Sequence, residues 1–162
     1  MKEKIITADQ ARAIANEMRE HGRKLVFTNG CFDLLHVGHV RYLEAARALG
    51  DALVVAINGD ESVRGLKGEG RPLNRDSERA EIVAALACVD HVVIFPEQRA
   101  TALLEKVRPA IYVKGGDYTA DSLHAEERSA LERIGAEIRI LPFEKGHSTS
   151  SLLEQIKTLG CQ

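Results

Sequence analysis

Five short runs rich in β-branched and aromatic residues constrain the fold of this chain more than any other feature. KLVFTN from Lys24, ALVVAIN from Ala52, HVVIF from His91, AIYVK from Ala110 and EIRIL from Glu137 read as strands, each followed by a helical stretch. The helical stretches fall at about Val37 to Leu49, Arg75 to Ala87, Arg99 to Val107, His124 to Ile134 and Ser148 to Leu159. A further helix is expected from Ala8 to Glu20, because Thr7 and Gln10 form a capping box and Ala11, Ile14, Ala15 and Met18 repeat at helical spacing.

The strand candidates are apolar on both faces, which requires cover above and below. Strands joined through helices by right-handed crossovers then give an α/β fold, a Rossmann-like doubly wound sheet of five parallel strands in a three-layer αβα sandwich. The expected strand order is 3-2-1-4-5. At 162 residues the chain is expected to form a single domain over 1–162, with residues 1–22 packed on it as an N-terminal helix. Asn58 to Asn74 is the longest stretch without clear periodicity and reads as a long, functional loop.

A net charge of −2 argues against sequence-independent nucleic-acid binding, which needs a broad surplus of Lys and Arg, so any anion site must be local. Cys31, Cys88 and Cys161 are too few and too scattered for a disulfide framework or a metal knuckle, which fits a reducing cytoplasm. No segment has signal-peptide character or the roughly 18 apolar residues of a membrane span, so a soluble, unexported protein is expected.

Ligands in such sheets bind beyond the carboxyl ends of the strands. Three unusual clusters follow strands: TNGCFDLLHVGH from Thr28, KGGDY from Lys114 and KGHSTSS from Lys145. In the first, Gly30 and Gly38 permit close backbone approach, and His39 falls in the opening turn of a helix whose N–H groups and dipole favour an anion. This is a phosphate site, yet it matches neither GxxxxGK[ST] nor GxGxxG. A plainer reading makes His36 a capping residue and His39 a surface one. A metal reading lacks a third ligand nearby, and Cys31 reads as a small buried residue.

FTNGCFDLLHVGH closely resembles the first signature of the HxGH nucleotidyltransferases, the cytidylyltransferase-like superfamily, and GHSTSS resembles their second. Within that superfamily FTNGCFDLLHVGHVRYLEAARALGD, GRPLN, VKGGDY and STSSLLEQI are similar to the adenylyltransferases of ADP-heptose synthesis, over about Lys24 to Lys157. The resemblance implies transfer of AMP from ATP to a heptose 1-phosphate in lipopolysaccharide inner-core synthesis. ATP is expected to bring Mg²⁺ or another divalent cation, held mainly by its phosphates without a dedicated protein site. A free-standing form is expected, fed by a separate kinase and phosphatase, acting without nucleic acid or membrane and assembling as a homodimer or higher homo-oligomer.

The same resemblance assigns roles. His36, His39 and Lys67 are catalytic: the histidines donate to the nucleotide phosphates and Lys67 reaches the phosphates from the loop after the second strand. Thr28, Asn29, Gly30, Cys31, Phe32, Gly38, Lys114, Gly115, Asp117, His147, Ser148, Thr149 and Ser150 surround the nucleotide. Asp33, Asp60, Arg71 and Arg79 lie near sugar phosphate or metal, with Asp33 orienting a donor or taking part in Mg²⁺ coordination. Between Asn58 and Arg79 five basic and five acidic residues cancel, so a solvated loop leading into an amphipathic helix is the plain alternative there. Asp117 has the alternative of a surface residue in a glycine turn, and Ser151 with Glu154 that of an ordinary capping box. The chain departs from the family at Leu152, Leu153, Glu154 and Gln155, where a basic residue is common.

Two other functions compete. One is a cytidylyltransferase for glycerol 3-phosphate or a related alcohol phosphate; the other is a non-catalytic nucleotide-binding regulatory module, against which His36, His39 and Lys67 argue.

Overall fold

The computed structural model describes residues 2–116, 123–142 and 148–159. Its strands are β1 (Leu25–Gly30), β2 (Ala52–Asn58), β3 (His91–Phe95), β4 (Ile111–Gly115) and β5 (Glu137–Leu141). They form one sheet in the order β3-β2-β1-β4-β5, every pairing parallel. The helices are α1 (Ala8–Glu20), α2 (Val37–Arg47), α3 (Asp60–Lys67), α4 (Asp76–Ala84), α5 (Thr101–Val107), α6 (Ala125–Ile134) and α7 (Thr149–Leu159). The expected strand order is the observed one.

Alternation along the strands sorts the core into two layers. Leu25 and Phe27 of β1, with Val54 and Ala56 of β2, face Ala11, Ala15 and Met18 of α1, Leu104 of α5 and Leu131 of α6. Val26 of β1, with Leu53, Val55 and Ile57 of β2, faces Leu43 of α2 and Ala80 and Val83 of α4. Each such side chain is removed from water, contributing about 1.5–3 kcal/mol per large aliphatic or aromatic group. The strand β5 differs from the others, since Glu137 and Arg139 are exposed at the sheet edge.

The α1 capping box is present: Gln10 N–H donates to Thr7 Oγ1 at 3.2 Å and Thr7 N–H to Gln10 Oε1 at 2.8 Å. The expectation of a loop from Asn58 to Asn74 is corrected by α3, which carries Asp60 and Glu61 in its first turn and buries Ser62 and Val63. Eight residues are too few for a periodic pattern to show, while the acidic first turn complements the helix dipole. The helix stops at Gly68, whose φ of 91° suits glycine alone, and Lys67 is thereby fixed at a helix end and not in a loop.

Among the described residues no helix is long and apolar enough to cross a membrane. Chain order reverses across β1, with β2 and β3 to one side and β4 and β5 to the other. The crevice beyond the carboxyl ends of β1 and β4 is therefore the place for a ligand.

Candidate active site

At that crevice lies a cavity of about 270 Å³ lined by residues of the β1–α2 junction, Lys67, Arg71, Lys114, Gly115 and Thr149. The backbone after β1 turns sharply. Phe32 sits at φ 46°, a left-handed conformation that costs a non-glycine residue about 1–3 kcal/mol and recurs at functional sites. Gly30 makes room for the turn, because a Cβ there would stand 3.0 Å from the Phe32 ring.

His36 is the N-cap residue of α2, and its backbone N–H donates to Nδ1 of His39 at 3.4 Å. That contact makes Nδ1 of His39 an acceptor, leaving its proton on Nε2. The two imidazoles have centroids 3.9 Å apart with planes tilted by 32°, and the Phe32 ring tilts against His39 at 5.5 Å. Burial first, then the neighbouring His36 and Lys67, lowers the His39 pKa from 6.5 to about 4. His39 is thus a neutral donor at physiological pH. It lines the cavity; His36 and the buried Gly38 are not among the lining residues.

Thr28, expected beside the nucleotide, is fully buried beneath the site. Its Oγ1 lies 2.7 Å from Tyr42 Oη, which donates its one proton to Val113 O at 3.1 Å, so Thr28 is the donor. Burial pushes the Tyr42 phenol upward. Asn29 does reach the cavity: its Oδ1 accepts from Tyr112 Oη at 2.8 Å, leaving the amide N–H groups as donors. Cys31 lines the wall half-buried, with burial raising its thiol pKa and making it a poor nucleophile.

Asp33 is buried, and both its oxygens serve the protein. Oδ2 accepts from Arg71 Nε at 2.5 Å, and Oδ1 accepts from the Leu73 N–H at 2.7 Å and the Asn74 N–H at 3.4 Å. Of the two roles open to it, this arrangement fits orienting a donor. Its donor is Arg71, which lines the cavity.

Asp60 and Arg79, expected near sugar phosphate or metal, pair with each other away from the cavity. The Arg79 side chain is 0% exposed, and its guanidinium donates to Asn74 O at 3.0 Å, Cys31 O at 2.6 Å and Asp60 Oδ1 at 2.8 Å. Asp60 Oδ1 also accepts the Asp76 N–H at 2.8 Å. The pair ties α3 and α4 to the backbone after β1, and neither residue lines the cavity. Among the described residues no group of three His, Cys, Asp or Glu side chains is placed to hold a metal ion.

The second signature is likewise partly structural. Ser148 Oγ accepts the Ser151 N–H at 3.0 Å, so the cap begins at Ser148 and not at Ser151 as the capping-box reading had it. Thr149 Oγ1 donates to Leu34 O at 3.2 Å, tying α7 to the β1–α2 loop, and Thr149 lines the cavity. Ser150 is exposed and does not line it. Asp117 and His147 lie outside the described residues.

Beside this cavity lies a second, of about 350 Å³, lined by Asn58, Leu66, Gln98, Arg99 and Glu127 and sharing Asn29, Gly30, Cys31, Lys67 and Lys114 with the first. Asn58, Gln98, Arg99 and Glu127 escape the sequence reading, as do Tyr42 and Tyr112. Only Asn58, a polar residue closing an apolar strand, carries a local signal.

The chain is 50% identical to the Bifunctional protein HldE of Geotalea uraniireducens, over 96% of its own length and 31% of that protein's. It is 48% identical to the Bifunctional protein HldE of Geobacter sulfurreducens, over 94% of its own length and again 31% of the relative's. The chain thus spans 31% of the length of these curated relatives. Among solved structures, the lipopolysaccharide core biosynthesis protein from Thermoplasma volcanium superposes with a TM-score of 0.64 at 28% identity, covering 78% of this chain and all of that one. The pantoate-beta-alanine ligase from Francisella tularensis shares the fold, with a TM-score of 0.57 at 16% identity, covering 90% of this chain and 68% of that one. The Cytidylyltransferase-like family model matches residues 27–155, the span that contains β2 to β5, most of β1, the paired histidines and the cavity-lining cations, and the chain belongs to that family.

Proposed function

We propose that this chain is an adenylyltransferase that joins AMP from ATP to a heptose 1-phosphate and releases pyrophosphate. The observation that carries the reading is the convergence of the neutral donor His39 with Lys67, Arg71 and Lys114 on one cavity. Adjacent cavities sharing Lys67 and Lys114 suit two phosphorylated substrates held side by side. The name of the lipopolysaccharide core biosynthesis protein supports the choice of acceptor, and VKGGDY supports adenine by resemblance.

An oxygen of the acceptor phosphate attacks the α-phosphorus of ATP. A new P–O bond forms as the bond to the β-phosphate bridging oxygen breaks, and pyrophosphate leaves with that electron pair. The second pKa of a phosphate monoester is about 6, so the nucleophile is ionised at neutral pH and no base is required. The protein has instead to hold two anions in line and to stabilise charge as it grows on the leaving group. Nε2–H of His39 supplies a donor, Lys67 and Lys114 supply cations between the two cavities, and Arg71 is held by Asp33. A divalent cation accompanying ATP would be held mainly by its phosphates and would neutralise part of their charge.

The test is pyrophosphate release with ATP or CTP and Mg²⁺, against heptose 1-phosphates of both anomers and glycerol 3-phosphate. ATP-dependent turnover with one heptose anomer is the expected result. CTP-dependent turnover with glycerol 3-phosphate alone would overturn the choice of substrates, and ATP binding without turnover on any acceptor would leave a nucleotide-binding module.

A further inference from the structure

Glu127 lies on α6, away from every signature stretch, and its residue is only 5% exposed. Its Oε1 accepts the N–H of Ala100, the N-cap residue of α5, at 3.1 Å. Its Oε2 lies 4.0 Å from Lys114 Nζ. Lys114 Nζ also donates to Tyr112 Oη at 3.4 Å, and Tyr112 Oη donates to Asn29 Oδ1 at 2.8 Å. A polar chain therefore runs from α6 across β4 to β1, ending on a residue that lines both cavities. A carboxylate buried to this degree is costly unless it is paired and hydrogen-bonded. Here its two oxygens face the segment carrying Gln98 and Arg99 and the one lysine of β4.

We propose that Glu127 is a positioning residue of the acceptor cavity, holding Lys114 at the boundary between the two substrates while its other oxygen fixes the Gln98–Arg99 wall through Ala100. This rests on reading the second cavity as the acceptor side. The consequence is a division of labour within one carboxyl group. Oε1 acts through a neutral hydrogen bond that an amide carbonyl reproduces, whereas Oε2 acts through charge. Glu127→Gln therefore separates the two functions.

The experiment is a double-mutant cycle of Glu127→Gln with Lys114→Met, read as kcat and as KM for ATP and for the heptose 1-phosphate, with crystal structures of wild type and Glu127→Gln. Glu127→Gln should lower kcat/KM for the acceptor by about ten- to hundredfold, the scale of a misplaced catalytic group, and kcat/KM for ATP as well, because Lys114 lines both cavities. In the Lys114→Met background the same change should have an effect of less than about twofold, because its target is gone. In the crystal structure Lys114 Nζ should leave Tyr112 Oη while the Ala100 N–H keeps a side-chain acceptor. Fully multiplicative losses, or Lys114 in an unchanged position, would overturn the proposal. Should wild type turn over no heptose 1-phosphate with ATP, the functional reading falls by itself, and the position of Lys114 still decides the role of Glu127.

Discussion

The Asp33 carboxylate grips Arg71 Nε at 2.5 Å with one oxygen and the Leu73 N–H at 2.7 Å with the other. A residue of the β1–α2 junction thereby fixes a segment about 40 positions later against the substrate cavity. Removing one partner leaves the other desolvated, as the Asp33 and Arg71 side chains are only 2% and 16% exposed. Asp33→Ala should destabilise the protein by about 3 kcal/mol, measured by denaturant unfolding. It should also weaken ATP affinity, since Arg71 loses its orientation; unchanged affinity would show that Arg71 contributes nothing to nucleotide binding.

His39→Ala removes a preorganised neutral donor and should lower kcat by on the order of 10² to 10³. The dissociation constant for ATP should change far less, as the donor matters most when charge grows on the phosphates. Steady-state kinetics with a parallel binding titration makes the comparison. An effect on binding alone would contradict the role.

Burial also gives His39 a pH signature. Its folded pKa of about 4 lies below the ordinary 6.5, so between those values the unfolded chain binds more protons than the native one. The stabilisation is present above about pH 6.5 and is lost as pH falls towards 4. Thermal unfolding of wild type should show this decline, and His39→Gln should flatten the part of the slope that His39 contributes.

Arg79 should behave as a structural residue. Three acceptors on three segments match the planar fork of a guanidinium, and a lysine ammonium cannot reach all three. Arg79→Lys should lower Tm markedly, and Arg79→Ala should cost about 3–5 kcal/mol by leaving Asp60 without its buried cation. Calorimetry checks both. A wild-type Tm in Arg79→Lys would contradict the assignment.

Lys67→Ala should lower kcat/KM for both substrates, because the side chain lines both cavities. An effect confined to one substrate, measured with the other saturating, would place Lys67 on a single cavity.

The layered fold, the strand order and the position of the cavity beyond β1 were all legible in the sequence. These follow from local quantities: continuous apolar runs that must be covered on both faces, helical periodicity between them, and paired histidines with a glycine at a strand-to-helix junction. The short α3 was not legible, as eight residues show little periodicity and Gly65 and Gly68 obscure it. Only the packed chain shows which polar residues line the cavity and which face the protein. Arg71 and Arg79 look alike in sequence, yet one lines the cavity on the Asp33 carboxylate and the other is buried against Asp60 and two carbonyls. Thr28 went to the core because Tyr42 of α2 meets it there, and Glu127 came to the site because α6 packs where Lys114 leaves the sheet. The physical reason is that the role of a polar side chain is set by its desolvation and its partners, and here those partners lie as far as 48 positions away.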